Sequence, residues 1–346
     1  MRTPETFISG IRVWLPDIVS VKQAVADGHY PAEQVDLHGL TGAAVAGDTP
    51  APQMALHAAT QALTRAHHPP TNLDLLLYAD SWHQGPDGWQ PQYYLQHHLT
   101  GGTCLAVELH HGCNGMFTAL ELAASYLHAH PDRHTALLVA ADNFGTPMID
   151  RWLGGPGYLM GDAGSALVLT TRPSFARLLA VGSVTVADAE ELHRAGEPLF
   201  PPGPTAARPL DFTARSAEFR RAALQGGAGT AVLMDIQRQT LQVVDRTLAE
   251  AGIDISDVTR VAYMNYSREI VEQRCTAALG LPLSASTWDW GRGLGHLGAS
   301  DQVAALDHLI GTGQLGPGDH LLMLGVGPGV TVSCAVVQII HAPAWQ

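Results

Sequence analysis

The stretch "VELHHGCNGM", residues 107–116, sets one cysteine in a Gly-Cys-Asn-Gly run directly after two histidines. The residues "CLAVELHH" (104–111) read as the end of a strand, and "NGMFTALELAASYLHAH" (114–130) as an Ala/Leu-rich buried helix. A cysteine at that hand-over meets the free N–H groups and partial positive charge of a helix N-terminus, which favour the thiolate. Backbone amides there can also hold an oxyanion. Gly112 and Gly115 allow a sharp turn and a close approach by substrate. Cys113 is therefore the candidate nucleophile, whereas Cys104, Cys275 and Cys334 read as small buried apolar residues. Strand alternation sends His110 and His111 to opposite faces, so at most one points toward the cysteine. Across a tight turn its direction is wrong, and both read as structural.

Outward from this stretch, "APQMALHAATQALTRA" (51–66) carries apolar residues at helical spacing, and "LDLLLYAD" (73–80) is a buried strand. "TALLVAAD" (135–142) is another strand, and "GDAGSALVLTT" (161–171) is a glycine turn running into a third. The C-terminal part repeats the order, with a helix at 234–253, a strand at 258–265, helices at 268–280 and 300–313, and strands at 319–327 and 329–340. Two halves are expected, 1–172 carrying the cysteine and 173–346. Within the second, the Pro/Gly-rich "ELHRAGEPLFPPGPTAARPLDF" (191–212) reads as an inserted loop. A second loop, the aromatic "SWHQGPDGWQPQYYLQHHL" (81–99), suits a tunnel wall or, more commonly, a dimer interface.

The chain has 346 residues, 46% of them hydrophobic and only 15% charged, which suits a large buried core rather than disorder. Its formal charge is −13 and it has no basic run, which counts against nucleic acid and anionic membranes as partners. There is no apolar run of spanning length and no secretory leader, so a cytoplasmic location is expected. The four cysteines lack the spacing of a disulfide framework, and the 18 histidines are too scattered for a metal site.

The strand ending at "GCNG", the Ala-rich helix after it, "GDAGSALVL", "GHLGAS" and "GVGPGVTVSCAVV" together resemble the ketoacyl-ACP synthase III group of the thiolase superfamily. The resemblance implies a duplicated five-layer α/β/α/β/α fold, commonly a homodimer, in which Cys113 carries an acyl group. Members of this group normally have a histidine in an "HQAN"-like stretch and an asparagine in a "GNTSAAS"-like stretch. Those two side chains hold the enolate oxygen formed when a malonyl thioester loses CO₂.

This chain departs at both places. The first reads "AYMNYSREI" (262–270), with Met264 or Asn265 at the histidine's position; the second reads "GHLGASD" (295–301), with His296 where the asparagine belongs. With a helix starting near Ala299, Asp301 lies in its first turn and its carboxylate turns back toward the imidazole. Cys113, His296 and Asp301 would then be nucleophile, general base and orienter. Each also has a local reading: His296 as a loop histidine bonded to backbone, Asp301 as a helix-start charge facing the dipole. Asn265 is expected to donate a hydrogen bond to the thioester carbonyl.

The substituted histidine resembles the acyltransferase members of the group found in antibiotic pathways. That implies transfer of an acyl group from an acyl carrier protein or CoA thioester to a hydroxyl or amine of a natural-product or sugar acceptor. The acyl donor is borne on phosphopantetheine, and no tightly bound cofactor or metal is implied. Further substrate contacts are expected from His193 in the inserted loop, from Arg151, which matches a family arginine, and from Gly327 in the C-terminal hairpin. Arg215, with Arg220 and Arg221, forms the best basic cluster for docking a carrier protein. Two alternatives stay open: a decarboxylative condensing enzyme, and a non-catalytic gatekeeper that docks carrier proteins.

Overall fold

The computed structural model describes residues 1–201, 203, 207–225 and 231–345. Part of the 191–212 insertion, residues 202 and 204–206, lies outside them. Nine of its strands form one sheet, and their order reveals how the chain is built. The first-half strands are β1 (Phe7–Trp14), β4 (Leu75–Asp80), β5 (Leu105–His110), β6 (Thr135–Asp142) and β7 (Ala163–Thr170); β2 (Ile18–Ser20) and β3 (Gly42–Ala44) form a separate small pair. The second-half strands are β8 (Ala176–Thr185), β9 (Val258–Ala262), β10 (His320–Gly327) and β11 (Thr331–Ile339). The order across the sheet is β5-β4-β6-β7-β1-β8-β11-β10-β9. From the β1–β8 junction outward, each half runs through the same succession of strands, and the first half adds β5 at its edge.

The helices follow the same duplication. Helix α3 (Ala51–Arg65) precedes β4, and α7 (Ala231–Ala251) precedes β9; α5 (Gly115–His128) precedes β6, and α10 (Asp301–Gly311) precedes β10. The remaining helices are α1 (Val21–Ala26), α2 (Glu33–His38), α4 (Pro91–Leu95), α6 (Phe212–Gln225), α8 (Arg268–Val271) and α9 (Trp288–Gly291).

Burial shows why this stacks into five layers. Along β4 every residue is buried, as a strand covered on both faces requires. Leu76 and Tyr78 face outward onto α3, whose residues Met54, Ala55, Ala58 and Ala62 recur at helical spacing. Leu75 and Leu77 face inward in one cluster with Met116, Leu120 and Ala123 of α5, and Val303 and Leu306 of α10 belong to the same cluster. The same central helices touch Leu321, Met323 and Val337 of the second half, whose outer residues Leu322, Leu324 and Val336 pack on Val243, Val244 and Leu248 of α7. The layers are therefore α3, first-half sheet, α5 with α10, second-half sheet, and α7.

Two central strands, β1 and β8, were not expected from the sequence pattern, and the strand expected through residue 265 ends at Ala262. The helix expected over 268–280 is α-helical only at α8 and continues as a wider turn to Thr276, and residues 91–100 of the aromatic loop are helical; the other main elements fall within a few residues of their expected positions.

Candidate active site

The duplication brings two equivalent turns together. A tight 3-10 turn, Gly112–Asn114, leads into α5, and a second, Gly298–Ser300, leads into α10. Gly112 has φ +55°, and a Cβ there would stand 2.8 Å from Pro328 Cδ, so the turn needs glycine on two grounds. A Cβ at Gly115 would meet that of Ala79 at 2.8 Å, so the start of α5 sits directly against β4. Asn114 fixes the turn from below: its Nδ2 donates to Thr331 O at 2.8 Å and to Ser333 Oγ at 3.0 Å.

The second turn is clamped as firmly. His296 N donates to Leu159 O at 2.7 Å, and Gly161 N donates to His296 O at 2.9 Å. Ser300 Oγ lies 2.8 Å from Ser165 Oγ, both buried. Held this way, His296 Nε2 lies 2.9 Å from Cys113 Sγ, although the two residues are 183 positions apart. On its other side Nδ1 lies 2.5 Å from Asp301 Oδ2. Burial by itself would lower the histidine's pKa. The charges of Cys113 and Asp301 and their hydrogen bonds outweigh it and hold the imidazole well above its ordinary range. The arrangement can hold an imidazolium between two anions.

Around the cysteine lies a chamber lined among others by Trp82, Phe144, Tyr158, Phe212, Tyr266 and His296. The rings of Tyr158 and Tyr266 stack at 4.5 Å, and both meet His296 edgewise, at 5.6 and 5.2 Å. Burial raises both phenols, and the neighbouring Cys113 adds to the effect, so they stay protonated. Neither tyrosine was singled out from the sequence. The sequence signal for Tyr266 is its place in the "AYMNYSREI" stretch, directly after Met264 and Asn265. Met264 turns away, accepting a contact from Val326 N on its sulfur.

The other expected residues divide. His193 lines the chamber with Cys113, its ring edge-on to Phe212 at 5.5 Å. Burial, with Arg215 nearby, lowers its pKa to about 4, so it is neutral. Asn265 is brought to the dyad on the far side of Asp301: Nδ2 donates to Asp301 Oδ1 and to Gly295 O, both at 2.9 Å. With its amide so occupied and off the chamber wall, it does not offer the expected bond to a thioester carbonyl.

Arg151 does not reach toward a ligand. Its guanidinium grips the buried Asp162 at 3.1 and 3.0 Å, and the same carboxylate accepts Ala46 N and Phe144 N, so the arginine fastens the loop before β7. Arg215 is likewise engaged, donating to Glu197 at 2.7 Å and to His193 O at 2.9 Å. Arg221 pairs with Glu218, which leaves Arg220 to line a larger hollow beside the chamber together with Arg274. Gly327 packs against Asn114 beneath the cysteine turn, while its neighbours Val326 and Pro328 line the chamber. His110 pairs through Nδ1 with Asp80, and His111 Nδ1 lies 2.5 Å from Thr118 Oγ1, so the Nδ1 of each is engaged away from Cys113.

A two-half α/β fold with a thiol and an imidazole meeting where the central helices begin is the architecture of thiolase-type enzymes. Residues 107–185 match the family model for 3-oxoacyl-[acyl-carrier-protein] synthase III, and residues 248–339 match that for its C-terminal part. The solved structure of ChlB3, described as an acyltransferase, is 63% identical, with a TM-score of 0.95 and 99% of each chain covered. FabH from Pseudomonas aeruginosa PAO1, a 3-oxoacyl-(acyl carrier protein) synthase III, shares the fold at 21% identity and a TM-score of 0.78, over 97% of this chain and 99% of that one. Acetoacetyl CoA synthase NphT7 from Streptomyces sp. (strain CL190) is 25% identical over 80% of each chain. The chain belongs to the ketoacyl-ACP synthase III-like group of the thiolase superfamily. It is an enzyme of the acyltransferase/synthase type.

Proposed function

We propose that this enzyme moves an acyl group from an acyl carrier protein or CoA thioester, through S-acyl-Cys113, to a hydroxyl or amine of a natural-product or sugar acceptor. One observation carries the reading: Cys113 Sγ lies 2.9 Å from His296 Nε2, whose Nδ1 is bound to the buried Asp301. In the first step the thiolate attacks the donor's carbonyl carbon, and the departing pantetheine sulfur takes the proton from His296 Nε2. In the second, His296 Nε2 takes the acceptor's proton as its oxygen or nitrogen attacks the acyl carbon, and Cys113 leaves as thiolate. Asp301 keeps the proton on Nδ1 and supports the imidazolium.

The same geometry disfavours decarboxylative condensation. That reaction needs two donors on an enolate oxygen, and here Nδ1 of the imidazole is committed to Asp301 and the Asn265 amide to Asp301 and Gly295, which leaves Nε2 without a second side-chain donor from this pair. The ChlB3 likeness supports transfer as well. For the donor, the exposed Arg220 and Arg274 beside the larger hollow suit the acidic surface of a carrier protein. Four free thiols suit a reducing, cytoplasmic compartment. The edge strand β5 leaves Leu105 half exposed, and Tyr93 and Trp89 are exposed in the segment before it, apolar surface suited to pairing with a second copy in a homodimer.

The test is incubation with acyl- and malonyl-carrier protein, mass spectrometry of the Cys113 peptide, then addition of acceptor with CO₂ measured. Acylation followed by ester or amide formation without CO₂ is expected. Chain extension with CO₂ release would make this a condensing enzyme, and no acylation would make it a docking protein.

A further inference from the structure

Asp301 is buried and accepts four hydrogen bonds: His296 Nδ1 and Asn265 N on Oδ2, Leu297 N and Asn265 Nδ2 on Oδ1. Both oxygens are thus held by two donors each, which fixes the plane of the carboxylate as well as its charge. Asn265 supplies two of the four. Its second amide hydrogen goes to Gly295 O at 2.9 Å, the residue before His296, so one side chain ties the carboxylate to the loop that carries the imidazole. The room for this is kept by Gly291, where a Cβ would stand 2.1 Å from Asn265 Oδ1. Asn265 is only 5% exposed and does not line the cysteine chamber.

We infer that Asn265 is a positioning residue, the fourth member of a Cys113–His296–Asp301–Asn265 chain, which holds Asp301 so that the thiolate–imidazolium pair can form. The inference takes from the proposed function only that Cys113 acts as a thiolate; the bonding around Asp301 stands on geometry alone. A carboxylate that loses the Nδ2 donor is no longer fixed in its plane, and the imidazole it orients is held less well toward Cys113. The imidazolium then gives up its proton more readily, and the thiol, with a poorer hydrogen bond from Nε2, keeps its proton to higher pH. The pH window in which both ions coexist therefore narrows from both sides.

The readout is the rate of Cys113 alkylation by iodoacetamide from pH 4 to 10, which reports thiolate whatever the natural reaction is. For Asn265→Ala the lower midpoint is expected to rise by about one pH unit, with alkylation below it slowed about tenfold. The loading rate should fall while the KM for the acyl donor stays unchanged, since Asn265 touches no substrate. Asn265→Asp, close in shape, donates to Asp301 only while it carries a proton, so its profile should gain a second titration. Wild-type midpoints in both variants would overturn the inference. If the alanine variant does not fold, as judged by circular dichroism, the aspartate variant decides alone, and a wild-type profile there overturns it. Failure of the transfer assay with the alkylation shifts intact would instead remove the proposed function and leave the positioning role standing.

Discussion

Substituting Asp301 by Asn tests the dyad most directly, because all four groups around the carboxylate are donors. An amide has only one oxygen, so whichever way it is turned its NH₂ faces two N–H groups. Two charge-assisted hydrogen bonds are lost, at roughly 1.5–3 kcal/mol each. With its NH₂ turned toward His296, the amide makes Nδ1 accept and moves the ring proton to Nε2. The imidazole then has no lone pair for the acceptor's proton and no carboxylate to support its charge. In hydrolase triads the corresponding change lowers turnover about 10⁴-fold, and a loss of about 10³–10⁴ in acyl transfer is expected here. The stability penalty, about 3–6 kcal/mol against a typical total of 5–15, makes it necessary to assay at low temperature and to scale rates to the folded fraction. The measurement is rapid-quench mass spectrometry of S-acyl-Cys113 and of its transfer to acceptor. A variant whose loading and transfer both stay within about tenfold of wild type, at equal folded fraction, would refute the role given to Asp301.

Further outcomes follow from the surroundings of the site. Burial pushes Asp142 up to about 8, although the N–H groups of Ser81 and Trp82 pull the other way. Between about pH 4 and 8 the folded state then holds a proton that the unfolded state has lost, so stability falls as pH rises, by at most about 1.4 kcal/mol per pH unit. Asp142→Asn should remove that slope, giving a higher Tm than wild type at pH 8 and a shrinking difference toward pH 5; parallel Tm curves would contradict it. Gly112→Ala must place an L-residue at φ +55° and a methyl 2.8 Å from Pro328 Cδ, so a loss of at least about 1–2 kcal/mol in urea unfolding and slower Cys113 loading are expected. Charge reversal at both Arg220 and Arg274 should raise KM for carrier-borne donors several-fold and leave a short pantetheine thioester unaffected; equal effects on both donors would count against docking there.

The parts of this molecule that were legible in its sequence are those with long apolar patterns. Strands β4 and β6 are buried along their whole length and α5 buries residues at helical spacing, and such runs are read easily. Strands β1 and β8 were missed because "FISGIRVW" and "ARLLAVGSVT" mix glycine, arginine and serine into their runs, and their pairing is visible only when both halves are assembled. At the site, Cys113, His296 and Asp301 stood out by residue type against family motifs. The bonds of Asn265 did not, since residues 265 and 301 meet only because β9 and α10 lie side by side. Arg151 misled for a related reason: an arginine's sequence position is silent about a buried carboxylate such as Asp162, and the ion pair consumed it.

The duplication also explains why the acid, base and nucleophile are split between halves. Cys113 precedes α5 and Asp301 begins α10, so each stands at the N-terminal end of a central helix. Both positions favour negative charge through the free N–H groups and the helix dipole. Packing α5 beside α10 brings these two anion-stabilising ends together, and without a cation between them a thiolate and a carboxylate would repel. His296 fills that gap at 2.9 and 2.5 Å. An asparagine in its place could donate one hydrogen bond to a substrate oxygen but could carry no proton between donor and acceptor. A histidine there accepts a proton and returns it, which is what moving an acyl group between two protonated nucleophiles requires and what holding an enolate does not.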